Sequence, residues 1–280
     1  MKDNIHSYSE SESKASTVPL PVVMIANSHH YGEDLTSFID GIYDSCGSDI
    51  IVLVSMNRAL YPDDVALAEN TIGIYKEEYG REVKVVASEI AGTSNAIKYL
   101  NGLAEALLLG DPIIEIDPGG AHDTRQIPEF INSLKEYDIA LSTRFSNGGK
   151  NAYPFQRVFA SWFVTRLSNI FLNTDLTDAA SGFEGFRSYV LKEIFDRYPP
   201  EEWLCVTHGP MHMIQTEMRA VLSWYNDVND NIWTVEEIPI YYGAAKKGVT
   251  LPFSYFIDAL QCFIKIYVKK RHLKERLIIK

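Results

Sequence analysis

Short runs of apolar residues alternate with segments of helical spacing along the first half of the chain. The first run, Pro21–Ala26, reads PVVMIA, and the second, Asp49–Ser55, reads DIIVLVS. Apolar residues at consecutive positions are typical of strands that are buried on both faces of a sheet. Three further runs follow at Val83–Ala87, Pro112–Asp117 and Ile139–Thr143. The alternation predicts an α/β fold with a mostly parallel central sheet that is flanked by helices.

The segments between these runs have the spacing of amphipathic helices. In the segment Asp34–Cys46, for example, Leu35, Phe38, Ile39 and Ile42 fall on one side. The other helices predicted in the first half are Pro62–Tyr79, Thr93–Leu109 and Ile127–Glu136. The less regular second half gives helices at Val158–Leu172, Tyr189–Arg197 and Met213–Tyr225, and a strand at Trp233–Tyr241.

Composition limits the class of protein and its organisation. The 280 residues suit one α/β domain, which we place at residues 21–250, after a disordered tail at 1–20 and before a C-terminal segment at 251–280. A net charge of −11 argues against a general nucleic-acid binder. Three scattered cysteines fit a reducing cytoplasm and no disulfide framework. Residues 1–18 are polar, and no long uninterrupted apolar run occurs, so the sequence predicts neither a signal peptide nor a transmembrane helix.

Several short motifs occur in a fixed order between residues 114 and 187. The first is a buried strand that ends in Asp117 and is followed by the turn Gly119-Gly120. The later ones are His122, Ile127-Pro128, Thr143-Arg144-Phe145, Gly148-Gly149 and Asp178-Ala179-Ala180-Ser181-Gly182-Phe183. A carboxylate after a buried strand lies at the carboxyl edge of the sheet, where open α/β sheets bind their ligands.

In this order the motifs resemble those of family 2 glycosyltransferases of the GT-A fold, most closely the dolichyl-phosphate (polyprenyl-phosphate) mannose synthase-like branch. The resemblance implies a Rossmann-like GT-A domain that transfers a sugar, with inversion, from a nucleotide-sugar donor to a polyprenyl-phosphate or glycan acceptor. Several family positions are changed, among them Ser55, Gly119 and Ala121. The alternative function is therefore a degenerate GT-A domain that binds a nucleotide sugar or a partner protein without turnover.

The resemblance implies a divalent metal, Mg²⁺ or Mn²⁺, on an Asp-x-Asp pair, where it neutralises the leaving diphosphate. Asp117 occupies the first position of that pair and is the expected catalytic and donor-binding carboxylate. Gly119 and Ala121 occupy positions where relatives offer further ligands. Glu115, His122 and Asp123 are the neighbouring side chains that can complete a site. The alternative is that Asp117 closes a turn or contacts the ribose without metal.

The resemblance places further donor-binding residues in three other segments. Ser55 and Asn57 follow the second strand, where relatives have acids that hold the base. Gly92 opens a turn into a helix, and helix N-termini attract anions. Lys246 and Lys247 occupy a loop that closes over the diphosphate in the family, where two lysines can replace missing metal charge.

The acceptor side is expected around Arg144, because a guanidinium group matches the geometry of a phosphate. By resemblance, Arg157, Ser181 and Arg187 belong to the same acceptor side. Asp178 is the expected catalytic base for a hydroxyl acceptor. A phosphate acceptor is already ionised and needs no such base, so the role of Asp178 depends on the acceptor.

The C-terminal segment combines an apolar stretch with basic charge. Phe253–Val268 is apolar except for four positions, and Asp258, Gln261 and Lys265 fall on one helical stripe. From Lys265 to Lys280 there are seven Lys or Arg and one Glu, a charge of +6, which leaves −17 on the rest of the chain. This pattern predicts an amphipathic helix with a basic tail at the cytoplasmic face of an anionic membrane. The alternative is a helix that is docked on the domain, with a solvated tail.

Overall fold

The computed structural model describes residues 19–27, 30, 32–89, 96–208, 213–243 and 253–279, with the backbone alone at 207–208 and 253–256. The described strands form a seven-stranded sheet of order β3-β2-β1-β4-β7-β5-β8 and a small two-stranded sheet of β6 and β9. The strands are β1 Val22–Ala26, β2 Ile51–Asn57, β3 Val83–Ser88, β4 Ile113–Ile116, β5 Ile139–Thr143, β6 Lys150–Asn151, β7 Glu184–Phe186, β8 Val235–Pro239 and β9 Tyr241–Tyr242.

Helices cover both faces of the large sheet, as the sequence predicts. They are α1 Glu33–Cys46, α2 Pro62–Tyr79, α3 Ile97–Ala106, α4 Ile127–Ser133, α5 Phe155–Leu167, α6 Ser188–Arg197, α7 Leu204–His208, α8 Met213–Val228 and α9 Phe253–Leu277. A π-helical turn, Ser168–Leu172, continues α5, and two short 3₁₀ turns lie at Thr124–Gln126 and Pro200–Glu202.

The alternation of side chains along the parallel strands explains the continuous apolar runs. In β1, Val22, Met24 and Ala26 face a core that includes α3, α6, α8 and α9. The intervening Val23 and Ile25 face a second core that includes α1, α2 and α4. Both sets are buried, so no position of the strand faces water. The prediction of a mostly parallel sheet with helices on both faces is confirmed.

One central strand is absent from the sequence prediction. Glu184–Phe186 forms β7, which pairs antiparallel with both β4 and β5. Its middle residue, Gly185, is tightly packed, since an added Cβ would lie 2.8 Å from Leu134 Cδ1 and 3.0 Å from Ile114 Cδ1. This strand joins the first four strands to β5 and β8, so both halves of the chain share one sheet.

The C-terminal helix α9 is longer than predicted and is partly buried. It continues to Leu277, so most of the predicted basic tail is helical. Cys262, Phe263, Ile266, Leu273 and Leu277 are buried in the core that contains α8. In the part of the chain that the structure describes, no helix is long and apolar enough to cross a membrane.

Candidate active site at the carboxyl edge of the sheet

Polar residues follow four parallel strands at one edge of the large sheet. Asn27 follows β1, Asn57 ends β2, Asp117 follows β4 and Arg144 follows β5. These strands run in the same direction, so their carboxyl ends meet at this edge. Such an edge is where open α/β sheets hold their ligands. The structure thus places Asn57, Asp117 and Arg144 at the same edge of the sheet, with β1 between the strands of the first two and β7 between those of the last two.

The end of β2 presents a buried amide group without a partner. The side chain of Asn57 is 1% exposed, and its Oδ1 accepts a hydrogen bond of 3.2 Å from the Leu60 backbone N–H. Its Nδ2 has no hydrogen-bond partner within the described residues. A buried donor of this kind carries a free-energy penalty unless a ligand satisfies it. Asn57 is therefore suited to hold an acceptor atom of a bound base.

Ser55 lies away from this edge, underneath α3. Its hydroxyl donates a 2.6 Å hydrogen bond to the carbonyl of Lys98 and is buried. An added Cβ on Gly102 would lie 2.6 Å from the Ser55 Cβ, so helix and strand are in close contact. The geometry gives Ser55 a part in helix packing, in place of the expected contact with a base. Gly92, Lys246 and Lys247, also predicted for the donor side, lie outside the described residues.

Asp117 is half-buried, and its Oδ1 accepts a 3.3 Å hydrogen bond from the Gly119 backbone N–H. Of the other candidate metal ligands, Asp123 is paired with a neighbouring arginine, and His122 is enclosed by aromatic rings. Asp123 forms an ion pair of 2.6 Å with Arg125. The His122 ring lies edge-on to Phe183 and Tyr242, at centroid distances of 5.5 and 4.8 Å.

Glu115 completes the set of predicted metal ligands, and it is buried beside the carboxylate of Glu184 across the β4–β7 ladder. Burial raises the pKa of Glu115 well above its usual value, and Glu184 and Asp117 raise it further. This favours the protonated form, which is a poor metal ligand. Within the described part of the chain, no group of three or more His, Cys, Asp or Glu is arranged to hold a metal. The described residues therefore do not fit a carboxylate metal site.

A lysine that the sequence did not single out lies near enough to Asp117 and Glu115 for their charges to raise its pKa. Lys98 belongs to the first turn of α3 and is 1% exposed. Burial lowers the pKa of Lys98 to about 8, although the negative charges of Asp117 and Glu115 raise it. The only signal in the sequence was its place, directly after the glycine turn at 92–96. Lys98 is thus a buried positive charge close to the strand that ends at Asp117, where Gly119 and Ala121 offer no metal ligand.

Arg144 and Asp178 form a buried ion pair. Arg144 donates from Nε to Asp178 Oδ2 at 2.7 Å and from Nη2 to Oδ1 at 2.9 Å, and its backbone N–H adds a bond of 3.1 Å. Burial alone would raise the pKa of Asp178, but the Arg144 guanidinium outweighs it and holds that pKa below its usual value. Both carboxylate oxygens of Asp178 are thus occupied, so the carboxylate is poorly placed to take a proton from an acceptor.

The turn after Arg144 depends on glycine. An added Cβ on Gly149 would lie 2.8 Å from the carbonyl carbon of Arg144 and 2.9 Å from the carbonyl oxygen of Thr143. Only a residue without a side chain allows this approach. The Gly148-Gly149 motif thus folds the chain back over Arg144 and leads into β6.

Stacked aromatic rings connect Arg144 to Arg157. The Arg144 guanidinium lies 5.2 Å from the centre of the Tyr242 ring, which stacks on Tyr153 at 5.2 Å. Tyr153 in turn contacts the guanidinium of Arg157 at 5.1 Å. Arg157 is therefore linked to Arg144 through two stacked rings, and its role on the acceptor side stays a prediction. Tyr153 and Tyr242 were not predicted, because their place depends on pairing between β6 and β9, which are distant in sequence.

A buried framework holds the Arg144–Asp178 pair in place. Arg219 of α8 forms an ion pair of 2.7 Å with Glu184 and donates to the carbonyls of Ser142, Asp178 and Ser181. Glu237 of β8 accepts hydrogen bonds from the backbone and the hydroxyl of Thr177, next to Asp178. The bonds of Arg219 are buried, whereas those between Glu237 and Thr177 are exposed, and together they fix the turn that carries Asp178.

Two predicted acceptor residues lie elsewhere. The Ser181 hydroxyl is buried and accepts a 2.6 Å hydrogen bond from Ser142 Oγ. Arg187 follows the antiparallel strand β7, so it emerges at the opposite edge of the sheet. There it forms an ion pair of 2.8 Å with Asp111 and donates to the carbonyl of Leu134. The structure does not bring Arg187 to the edge that holds Asp117 and Arg144.

The chain is similar to known proteins in part of its sequence and in its fold. No protein-family model matches the chain. The chain is 30% identical over 98 residues to the undecaprenyl-phosphate mannosyltransferase of Micrococcus luteus. This match covers 34% of the chain and 40% of that mannosyltransferase, so less than half of the relative's length is spanned.

Solved structures extend the similarity to the whole fold. Glucosyl-3-phosphoglycerate synthase from Mycobacterium tuberculosis, in complex with Mn²⁺, UDP and glucosyl-3-phosphoglycerate, has a TM-score of 0.52 at 12% identity, over 94% of this chain and 81% of that one. A complex of the same synthase with Mg²⁺ and UDP gives a TM-score of 0.50 at 13% identity, over 93% and 80%. The expected GT-A fold and the resemblance to family 2 glycosyltransferases are confirmed.

Proposed function

We propose that the protein is a glycosyltransferase that moves a sugar from a nucleotide-sugar donor to a polyprenyl phosphate. The GT-A fold and the partial similarity to an undecaprenyl-phosphate mannosyltransferase support transfer from a nucleotide sugar. One observation favours a phosphate over a hydroxyl acceptor. Asp178, the expected base, has both oxygens engaged by Arg144. A phosphate arrives ionised and requires no base to attack.

In this proposal the donor lies across the ends of β1, β2 and β4. The unpartnered Nδ2 of Asn57 donates to the base, and Asp117 orients the ribose or the sugar. Lys98 supplies positive charge towards the diphosphate, and the proposal gives the same role to Lys246 and Lys247, which lie outside the described residues. Positive groups that are fixed in a partly dehydrated site stabilise the charge that develops on the leaving group.

The acceptor enters in this proposal from the side of Arg157. Its phosphate is held by Arg157, while the Arg144–Asp178 pair fixes the wall of aromatic rings behind it. A phosphate oxygen attacks C1 of the sugar, the bond from C1 to the diphosphate oxygen breaks, and the nucleoside diphosphate leaves. A single displacement of this kind inverts the configuration at C1. A lipid phosphate is embedded in a membrane, so we place the reaction at the cytoplasmic membrane face.

The test is turnover with purified protein in detergent. GDP-mannose and UDP-glucose are each offered with undecaprenyl phosphate or with a soluble glycan, and the sugar-lipid product is followed by mass spectrometry. We expect product with the lipid phosphate and loss of product in Asp117→Asn. We also expect activity to survive EDTA, because the described residues do not fit a metal site. Loss of all activity on chelation would show that another set of ligands holds an ion.

A second candidate function is binding without turnover. It is favoured by Gly119 and Ala121, which remove family ligands. In that case a nucleotide sugar would raise the melting temperature, but no acceptor would yield product. A ligand at about 100 times its dissociation constant adds about 2.7 kcal/mol to the free energy of unfolding, which a thermal-shift measurement detects.

A further inference from the structure

Helix α5 leaves most of its apolar surface exposed. Of its residues, only Thr165 is fully buried. Phe155 is 76% exposed, and Phe159, Phe163 and Trp162 are 49%, 48% and 40% exposed. Their rings stack along the helix, with Phe159 at 6.1 Å from Phe155 and 6.3 Å from Phe163. A row of large aromatic side chains in water is unusual for a monomeric soluble protein and marks an interaction surface.

The same surface continues through the π-helical turn onto α9. The Phe171 ring contacts those of Phe263 and Tyr267 at 6.5 and 5.6 Å. Lys270 donates a hydrogen bond to the carbonyl of Phe171, which ties the turn to the helix. We call this surface the aromatic face. Its exposed apolar members are Phe155, Phe159, Trp162, Phe163, Ile170, Phe171, Ile257, Leu260, Ile264, Tyr267 and Val268.

The charge around the aromatic face is positive, although the chain as a whole carries −11. The basic residues of these segments are Arg157, Arg166, Lys265, Lys269, Lys270 and Arg271. Between 155 and 172 and between 257 and 271, Asp258 is the only acid. Two copies of the chain meeting through this face would bring like charges together, which is unfavourable. An anionic lipid surface offers both the opposite charge and an apolar interior.

We propose that the aromatic face is a membrane-docking surface, with α5 and the exposed side of α9 lying in the headgroup region of an anionic bilayer. The aromatic side chains insert below the phosphates, and the lysines and arginines contact them, as in interfacial helices. The inference differs from the predicted insertion of α9 alone, because the buried side of α9 is part of the core and α5 supplies most of the aromatic surface.

The aromatic face is connected to the candidate active site through a chain of ring contacts that begins in α5. Arg157 lies in the first turn of α5 and contacts Tyr153, which stacks on Tyr242 beside Arg144. A protein docked through α5 therefore brings the acceptor rim of the site to the lipid headgroups. Docking itself needs no donor, acceptor or turnover, so it can be tested separately from the proposed function.

The experiment is flotation of the full chain with vesicles of phosphatidylcholine alone and of phosphatidylcholine mixed with phosphatidylglycerol. We expect binding to the mixed vesicles, weaker binding at high salt, and little binding to phosphatidylcholine alone. The triple variant Phe155→Ser, Phe159→Ser, Phe163→Ser should bind at least about tenfold more weakly, because it removes most of the inserted apolar area. All three side chains are exposed, so the fold should be retained, and circular dichroism checks this.

The matched control is Leu67→Ser with Ile74→Ser, which removes exposed apolar side chains of α2 on the other face of the sheet. This variant should bind like the wild type. Equal binding by the triple variant, or no binding of the wild type to anionic vesicles at low salt, would overturn the proposal. So would a dimer in sedimentation that the triple variant dissociates, since the face would then belong to a second copy.

Discussion

The imidazole of His122 is buried in an environment that disfavours its protonated, charged form. Its Nδ1 has no hydrogen-bond partner within the described residues, and the aromatic rings of Phe183 and Tyr242 flank it. Burial, together with the charge of Arg144, lowers the pKa of His122 to about 3, although Asp178 opposes the shift. Between that value and its ordinary pKa, the unfolded chain binds a proton that the folded protein does not. Stability is therefore lost as the pH falls through this range.

Replacing His122 should make the fold less sensitive to acid. Between pH 7 and pH 5, the wild type should lose about 2 kcal/mol more unfolding free energy than His122→Gln, as expected for a histidine that remains neutral when folded. Urea unfolding of both proteins at the two pH values measures this difference. Equal losses would show that His122 takes up its proton in the folded state.

Lys98 should make nucleotide binding in the proposed donor site weaker as the pH rises, whereas His122 makes the fold less stable as the pH falls. Burial lowers the pKa of Lys98 to about 8, opposed by Asp117 and Glu115, so its charge is present at neutral pH and is lost as the pH rises. We expect binding of a nucleoside diphosphate to weaken between pH 7 and pH 9, by up to roughly 1.5–3 kcal/mol for one charge-assisted hydrogen bond. Calorimetry measures the affinity. Lys98→Met should bind weakly at both pH values, and an unchanged affinity in this variant would place Lys98 outside the donor site.

Single residues differ in how well the sequence predicts their place. Asp117 and Arg144 follow strands that the apolar runs identify, so their edge of the sheet can be predicted. Ser55 lies two residues before Asn57 on the same strand, yet only the close approach of α3 at Gly102 decides that its hydroxyl is covered. Distant contacts of this kind leave no local pattern in a sequence.

At the level of elements, β7 shows where a pattern argument stops. The strand has three residues, Glu184, Gly185 and Phe186, and a charged residue in a central strand contradicts the apolar rule. The charge is tolerated because Arg219 of α8 pairs with it inside the core. That partner is far away in sequence and comes from another element, so the sequence offers no sign of it. Longer elements such as α2, at Pro62–Tyr79, match the prediction because periodicity and a proline at the start define them.

The last turns of α9 should contribute strongly to stability. The sequence predicts a basic tail at a membrane face, or alternatively a solvated tail, but Leu273 and Leu277 are buried against the core, and Arg276 pairs with Glu202. Leu273→Ala or Leu277→Ala should each lower the unfolding free energy by about 2–5 kcal/mol. Val268→Ala, at an exposed position of the same helix, should change it by no more than about 0.5 kcal/mol. Urea unfolding compares them, and a small effect at both leucines would favour the solvated tail.

The whole molecule is organised around a single sheet that both halves of the chain build. The alternation of apolar runs and helices predicts this architecture without reference to any individual contact. The insertion of β7 between β4 and β5 was not predictable, but it makes the first and second halves structurally dependent on each other. The proposed donor contacts come from the ends of β2 and β4, in the first half, whereas the second half carries the proposed acceptor contact Arg157 and the aromatic face.

Because both halves of the chain share the seven-stranded sheet, we expect a ligand that binds to the first half to stabilise the second half as well. All four tryptophans, Trp162, Trp203, Trp224 and Trp233, lie in the second half, so their fluorescence reports on its unfolding. A nucleoside diphosphate should raise the urea midpoint seen by fluorescence as much as the midpoint seen by far-ultraviolet circular dichroism, because one cooperative unit unfolds. Asn57→Leu, which removes the proposed contact with the base, should reduce both shifts together. A shift confined to circular dichroism would mean that the two halves unfold separately, in spite of their common sheet.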